Sequence, residues 1–220
     1  MSINAMQVAE QVLSDLDQTV LARCAPQGDL IVSQLHGGYF ENNRKGNLYM
    51  WSSGAAGVTV TKYDSTTPAF VLWNKSLTNN LELVELTISW VGTPGVAGNF
   101  GLSRIVGAGQ AVGTPISAFT ELATAWKMKT LASANPPNGK CATTSTIAAL
   151  AATDYMPLGF SMPDALAAAS TTVPGFVFIK QFRGDLIVSP GNAIALMGNV
   201  AQTQAFGFTI SWIDNVPYTV

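Results

Sequence analysis

One segment near the end of the chain alternates strictly between large apolar residues and small or hydroxyl-bearing ones, and this alternation constrains the fold more than any other feature. The large residues are Phe206, Phe208, Ile210 and Trp212, and Ala, Gly, Thr and Ser fill the positions between them. Successive side chains of a strand point to opposite faces of its sheet. The pattern therefore predicts an antiparallel strand with one face on a core and the other towards solvent.

Short strand-like segments recur from residue 28 onward, at spacings of about 8–12 residues with turn residues between them, as in sandwiches and barrels. The clearest are residues 28–35, 48–52, 57–63, 70–73, 81–91, 101–106, 176–179, 186–188, 193–197 and 205–212. The apolar phase of residues 81–91 slips near Val84 and Glu85, which predicts a β-bulge or a strand buried on both sides. Residues 176–179 are predicted, from β-propensity alone, to be a buried strand. The chain is thus expected to be mainly β.

The domain organisation follows from where the apolar period changes. Residues 3–22 carry an apolar stripe at three- and four-residue steps, which predicts an amphipathic helix after the N-cap residue Ser2. We expect residues 1–26 to form an N-terminal helix or arm and residues 27–220 a single β-sandwich. A long irregular insertion is expected at about 107–172. Within it, residues 147–152 favour helix by alanine content, but flanking Thr, Ser and Pro predict loops with short helical turns.

Two short sequences occur twice in the chain. Gly-Asp-Leu-Ile-Val-Ser begins at residues 28 and 184, and Thr-Ile-Ser-Trp begins at residues 87 and 209. A tandem duplication would keep one offset, whereas these copies lie 156 and 122 residues apart (184 − 28 and 209 − 87). The repeats therefore favour framework strands of one sandwich, with Trp90 and Trp212 in its core.

Charge is scarce. Charged residues make up 11% of the 220 residues and the net charge is −2, against about 25% charged residues in an ordinary domain. The basic patch of a nucleic-acid-binding protein is missing, and no apolar run reaches the roughly 18 residues of a membrane-spanning helix. A surface with so few charges is suited to contact with other protein surfaces, because interface cores are depleted in charge.

The cysteines and the N-terminal charges bear on the compartment. Glu10, Asp15 and Asp17 precede the first basic residue, Arg23, which is not the charge order of a signal peptide. Cys24 and Cys141 belong to no metal or redox motif; one disulfide is open to them, but two buried free thiols are favoured. We expect synthesis in a reducing cytoplasm.

Candidate chemistry is sparse. His36, the only histidine, has no nucleophile or orienting carboxylate near it in sequence, so a structural or interface role is favoured over catalysis. The glycines of residues 107–113 lack the spacing of a phosphate loop, and no cluster of metal-ligating residues is visible. Five acids could be paired for hydrolysis, but the sequence gives no reason to pair any two of them. They are Glu82, Glu85, Asp154, Asp164 and Asp214. We expect no catalytic site, no metal and no cofactor.

Tryptophans offer a different kind of site. Trp51 and Trp126 are less constrained by the apolar pattern than Trp90 and Trp212, so either could be exposed and stack on a sugar. Together with His36 they are the candidate interface or ligand-contact residues. A carbohydrate-binding module and a β-sandwich hydrolase are therefore kept as alternatives to a structural protein.

Three segments carry a resemblance to a known family. They are residues 176–179, residues 186–196 with their Ser-Pro-Gly-Asn turn, and residues 208–214, where an aromatic strand ends in an acid. This order resembles the closing strands of jelly-roll virion proteins of tailed bacteriophages. Residues 29–47, 70–74 and 81–83 are similar to their early strands. The resemblance covers both ends of the chain and little of residues 92–172, and it carries over no functional residues.

The resemblance implies a fold and a role. The fold would be an antiparallel β-sandwich of jelly-roll type preceded by the N-terminal helix. The role would be that of a capsid decoration or cement protein on the virion surface, a homo-oligomer, expected to be a trimer, that contacts the major capsid protein. Nucleic acid and membrane are not expected partners. The alternatives are a carbohydrate- or receptor-binding module of a phage tail and a major capsid jelly-roll subunit.

Overall fold

The computed structural model describes residues 39, 42–43, 46–91, 96–108, 116–122, 126–127, 138–162, 177–182 and 185–217. The chain divides into two units, Met1–Phe40 and Glu41–Val220, and every described residue except Tyr39 belongs to the second. The predicted helix at residues 3–22 and the predicted strand at residues 28–35 lie outside the described residues.

The described chain is mainly β, as the sequence predicts. Its strands are β1 (Leu48–Ser52), β2 (Val58–Thr59), β3 (Phe70–Asn74), β4 (Asn79–Trp90), β5 (Gly98–Ile105), β6 (Ile116–Thr120), β7 (Trp126–Lys127), β8 (Gly139–Ala142), β9 (Thr144–Ile147), β10 (Tyr155–Met162), β11 (Val177–Gln181), β12 (Ile187–Val188), β13 (Ala193–Gly198) and β14 (Ala205–Pro217). A single turn of 3₁₀-helix, Ala152–Asp154, precedes β10.

The strands form three antiparallel sheets. A seven-stranded sheet has the order β11-β4-β14-β1-β7, with β12 also paired to β4 and β2 to β14. A five-stranded sheet has the order β10-β5-β13-β3-β8. Strands β6 and β9 make a separate two-stranded ribbon. The antiparallel sheet architecture predicted from the alternating segments is thus confirmed.

The main core lies between the two large sheets, as in a β-sandwich. From the seven-stranded sheet it receives Phe206, Phe208, Ile210 and Trp212, each at most 3% exposed, so the alternation read from the sequence is confirmed. From the five-stranded sheet it receives the inward side chains of β3, β5 and β13. Apolar burial on this scale is the main stabilising contribution to such a fold. Trp90 is only partly buried and packs against this core, with its ring 6.1 Å from that of Phe206.

A second core lies on the other face of the five-stranded sheet. Val71, Ile105, Ala195 and Met197 point there and pack with Ile147 of the ribbon. All six residues of β13 are consequently buried. A strand covered on both faces reads as a continuous apolar run rather than an alternating one, which is how Ala-Ile-Ala-Leu-Met-Gly reads.

The predicted phase slip in β4 is a β-bulge. In its pairing with β14, Glu85 faces Ser211 and Leu83 faces Trp212, so Val84 is the extra residue. The bulge allows leucines on both sides of it to enter the same core. The two Thr-Ile-Ser-Trp copies lie on these neighbouring strands, and Thr87 pairs directly with Thr209. Both copies of the repeat therefore lie in the same sheet, which agrees with their interpretation as framework strands of one sandwich.

Two features differ from expectation. The prediction that residues 176–179 form a buried strand is wrong in its burial: β11 is a strand, but Val177 and Ile179 are 62% and 56% exposed. Among the described strands β11 pairs only with β4. β-propensity therefore predicted that these residues form a strand, but it did not predict how exposed their side chains are. The second difference concerns the irregular insertion expected at about 107–172, whose described part contains strands β6 to β10. Residues 147–152, which favour helix by alanine content, begin with the last residue of β9 and end with the first residue of the 3₁₀ turn.

Candidate interaction surface

Of the three predicted contact residues, Trp51, Trp126 and His36, the structure describes the side chain of Trp51. Trp51 is 4% exposed, and its ring lies 4.9 Å from that of Phe70 and 5.2 Å from that of Phe208. The expectation that Trp51 could be exposed is therefore wrong, because its strand position faces the core. The backbone of Trp126 pairs with Met50 at the edge of β1, and its side chain lies outside the described residues. His36 also lies outside them.

The described acids that were considered for hydrolysis lie on β4 (Glu82 and Glu85), on its neighbour β14 (Asp214) and in the 3₁₀ turn (Asp154). Asp154 accepts a hydrogen bond of 2.9 Å from Nε of Arg104, which fixes the 3₁₀ turn to β5. Glu82 and Glu85 lie on β4 on either side of its bulge, at positions facing away from the core. Asp164 is outside the described residues. Within the part of the chain that is described, no three His, Cys, Asp or Glu side chains group in a way that could hold a metal ion.

Asp214 is a buried acid with a structural role. It is 1% exposed, and its carboxylate accepts 2.5 Å and 2.9 Å hydrogen bonds from the backbone N–H and the side-chain amide of Asn138. Burial, with a further contribution from Asp214, raises the pKa of the Tyr49 phenol. A carboxylate that is already hydrogen-bonded twice is suited to anchoring the start of β8 rather than to exchanging protons with a substrate.

Cys141 is a buried free thiol, as favoured for it by the sequence, and Cys24 lies outside the described residues. Burial raises its pKa well above the ordinary value. Because the thiolate is the reactive form, this cysteine is not suited to nucleophilic chemistry.

Sequence reasoning missed one polar and aromatic cluster. Nζ of Lys75 lies 4.7 Å from the centre of the Trp73 ring and 5.1 Å from that of the Phe119 ring, and these two rings meet edge to face at 5.3 Å. Glu121 bridges Lys75 at 3.8 Å and Lys140 at 2.9 Å. The cluster joins the end of β3 to β6. Only the Trp-Asn-Lys order of residues 73–75 signals it in sequence, and its partners lie more than forty positions away.

The candidate interaction surface lies on the outer face of the seven-stranded sheet. Two rows of outward residues run across it. The first row is Val177, Ser89 and Gly207, and the second is Ile179, Thr87, Thr209 and Ser52. We call these seven residues the open face. They are apolar or carry hydroxyls, and none is charged.

The rows below the open face are different. The next row is Gln181, Glu85, Ser211 and Met50, and the last is Ile187, Glu82, Ile213 and Leu48. Glu85 accepts hydrogen bonds from Thr87 at 3.3 Å and from Gln181 at 3.4 Å. In the lowest row Ile213 and Leu48 are 2% and 7% exposed although they occupy outward positions, whereas Ile187 on β12 is 49% exposed. Within the open face Val177, Ile179 and Ser52 are exposed, Ser89, Thr87 and Thr209 are half-buried, and Gly207 is buried.

No family model, curated protein or solved structure matches this chain. Among the described residues, no helix has the length and apolar character needed to cross a membrane.

Proposed function

We propose that this protein is a non-enzymatic structural protein of a bacteriophage virion, and specifically a decoration or cement protein that adds contacts between subunits of the shell. It would act as a homo-oligomer, with a trimer expected, on the capsid surface. The observation that carries the proposal is the strand order of the two large sheets, taken with the uncharged outer face of one of them.

The strand order supports a jelly roll. The eight principal strands in chain order are β1, β3, β4, β5, β10, β11, β13 and β14. One sheet pairs the first, eighth, third and sixth of them, and the other pairs the second, seventh, fourth and fifth. This pairing supports an arrangement of two Greek keys with the first and last strands as neighbours, which viral capsid domains commonly use. The remaining strands are additions to that frame, four of them between β5 and β10.

The fold alone does not define the role, because jelly rolls also occur in lectins and enzymes. The surface adds the second support. The open face carries no charge, and a face of this composition can be buried against protein without stranding an unpaired charge. The described acids and Cys141 are engaged in structural contacts or lie apart, which favours a role in assembly over catalysis.

The carbohydrate-binding alternative depends on Trp51 or Trp126 being exposed. Trp51 is buried in the core, so a sugar ring cannot stack on it. The described side chains of the open face include no aromatic residue on which a sugar could stack. The other alternative, a major capsid subunit, shares the jelly-roll frame and is separated from the proposal by experiment.

The test uses two preparations from the phage that would encode this chain: empty shells assembled from its major shell protein, and DNA-filled particles that lack this chain. We expect the purified chain to co-sediment with the shells to saturation and to raise the temperature at which filled particles release their DNA, followed with a DNA-binding dye. An unrelated β-sandwich protein of similar mass is the control. Absence of co-sedimentation at tens of micromolar would contradict the proposal. Closed particles formed by this chain alone, seen by electron microscopy, would assign it as the major subunit instead.

A further inference from the structure

We infer that the open face is the surface through which one copy of this chain binds a second copy. The inference rests on the proposed function in that self-association is part of it, but it names the surface and the mode of contact. Three observations carry it: the exposure of β11, the position of Lys180 and the charge distribution of the sheet.

The first observation is exposure. Val177 and Ile179 are 62% and 56% exposed on adjacent outward positions of β11. Two large β-branched residues at successive outward positions of one strand form an apolar patch that water solvates poorly. In the lowest row of the same face Ile213 and Leu48 are buried, whereas Ile187 on β12 is 49% exposed. The exposed large apolar residues of this face therefore lie on β11 and β12, the two strands that pair with the same edge of β4.

The second observation separates two modes of association. β11 ends the described strand order of its sheet, so a neighbour could in principle extend the sheet at this edge. Lys180, however, occupies the inward position of β11 that pairs with the core residue Leu86. An inward-pointing charge on an edge strand is a device that opposes edge-to-edge pairing. Contact through the face of the sheet is therefore favoured over contact through its edge.

The third observation concerns the partner. The two rows of the open face have no charge, and the first charge below them, Glu85, already accepts hydrogen bonds from Thr87 and Gln181. A nucleic acid or a strongly charged protein would find no complement on these rows. A second copy of this chain brings a surface with equally few charges, so neither partner buries an unpaired charge.

The test measures molar mass by sedimentation equilibrium on the full chain. We expect the native protein to form a multimer of the 23.1 kDa chain. Val177→Lys with Ile179→Lys should raise the dissociation constant at least tenfold, and Thr209→Lys, placed in the middle of the open face, should do the same. Val106→Lys is the matched control, because Val106 is a similarly exposed valine that follows β5 of the other sheet. It should leave the dissociation constant unchanged. Circular dichroism melts verify that each variant is folded.

The outcomes separate this inference from the proposed function. A native chain that stays monomeric at 100 μM overturns the inference, whether or not it binds shells. A multimer that survives both open-face variants places the contact elsewhere and overturns it as well. Dissociation by the β11 variant but not by Thr209→Lys indicates contact through the edge and contradicts the face mode. A multimer lost in both variants supports the inference even if the chain binds no shell, and in that case the virion proposal alone fails.

Discussion

The two large sheets of this protein differ in what lies on their outer faces. The five-stranded sheet is covered there by the β6–β9 ribbon, so its strand β13 is buried on both sides. The seven-stranded sheet keeps its open face, with Val177 and Ile179 more than half exposed. The comparison teaches that the long connection between β5 and β10 covers one side of the sandwich, whereas β11 stays exposed on the other side.

The outer faces of the two sheets also differ in the size of their side chains. We call the outer face of the five-stranded sheet, which the ribbon covers, the closed face. The closed face carries small side chains such as Ala193, Ala195 and Ser103, which let a second layer approach the sheet. Within the sheet, Gly101 leaves room for the Tyr155 ring of the neighbouring strand β10, since a Cβ there would lie 2.5 Å from its ring atoms. The open face instead carries threonines and serines, which tolerate either water or a partner. The covered face and the open face are thus distinguishable by the residues that they carry.

The sharpest test of this comparison is a pair of matched substitutions. Ile147→Ala removes a 2% exposed side chain from the closed side and should lower the free energy of unfolding by about 3 kcal/mol. Ile179→Ala makes the same chemical change on the open face and should alter it by less than about 0.5 kcal/mol in the monomer. Urea denaturation at low protein concentration measures both. Equal losses at the two sites would remove the distinction between the faces.

A smaller effect is expected where the two sheets are tied together. Asn74 of β3 is fully buried, and its side-chain amide donates 2.8 Å hydrogen bonds to the carbonyl oxygens of Asn79 and Val188 on the other sheet. Asn74→Ala leaves these carbonyls without that donor and should cost about 2 kcal/mol. Thr78→Ala, on an exposed residue of the same turn, is the control and should cost less than about 0.5 kcal/mol. Similar values for the two variants would argue against Asn74 as the tie.

The closed face should also show a pH dependence. Burial raises the pKa of Tyr155 from 10.0 to about 12. The unfolded phenol therefore loses its proton near pH 10 while the folded one keeps it, so the stabilisation is complete below pH 10 and is lost as the pH rises towards 12. We expect the free energy of unfolding to fall more steeply between pH 10 and 11 in the native protein than in Tyr155→Phe. Parallel pH profiles would mean that this phenol titrates alike in both states.

Much of the frame could be predicted from the sequence because a half-buried strand leaves a period-two pattern. The alternation of β14 and the slip at Val84 both correspond to features of the structure. The prediction of side-chain burial failed where apolar residues follow one another without interruption. Residues 176–179 and 193–197 are both apolar runs, yet β11 is exposed on one face and β13 is buried on both. Composition cannot tell these apart, because the cover comes from the distant ribbon.

The candidate surface was harder to predict than the frame. The scarcity of charge indicated where contact would be favoured, but the open face is built from rows that cross four strands far apart in the chain. Ile179, Thr87, Thr209 and Ser52 become neighbours only through the strand order. Trp51 was misplaced although Tyr49 shares its face of β1, because in a five-residue strand the sequence does not fix which face turns towards the core.

The smallest predicted effect concerns how the ribbon is fastened to the closed side. Lys75 places its ammonium over the rings of Trp73 and Phe119, and the second of these belongs to the ribbon strand β6. Lys75→Met keeps most of the apolar stem but removes the charge, and it should lower the free energy of unfolding by about 0.5–1 kcal/mol. Lys75→Arg keeps a cation over the rings and should restore most of that loss. If the Met variant is as stable as the native protein, the ribbon is held by the apolar contacts of Ile147 and its neighbours alone, and the closed face needs no cation.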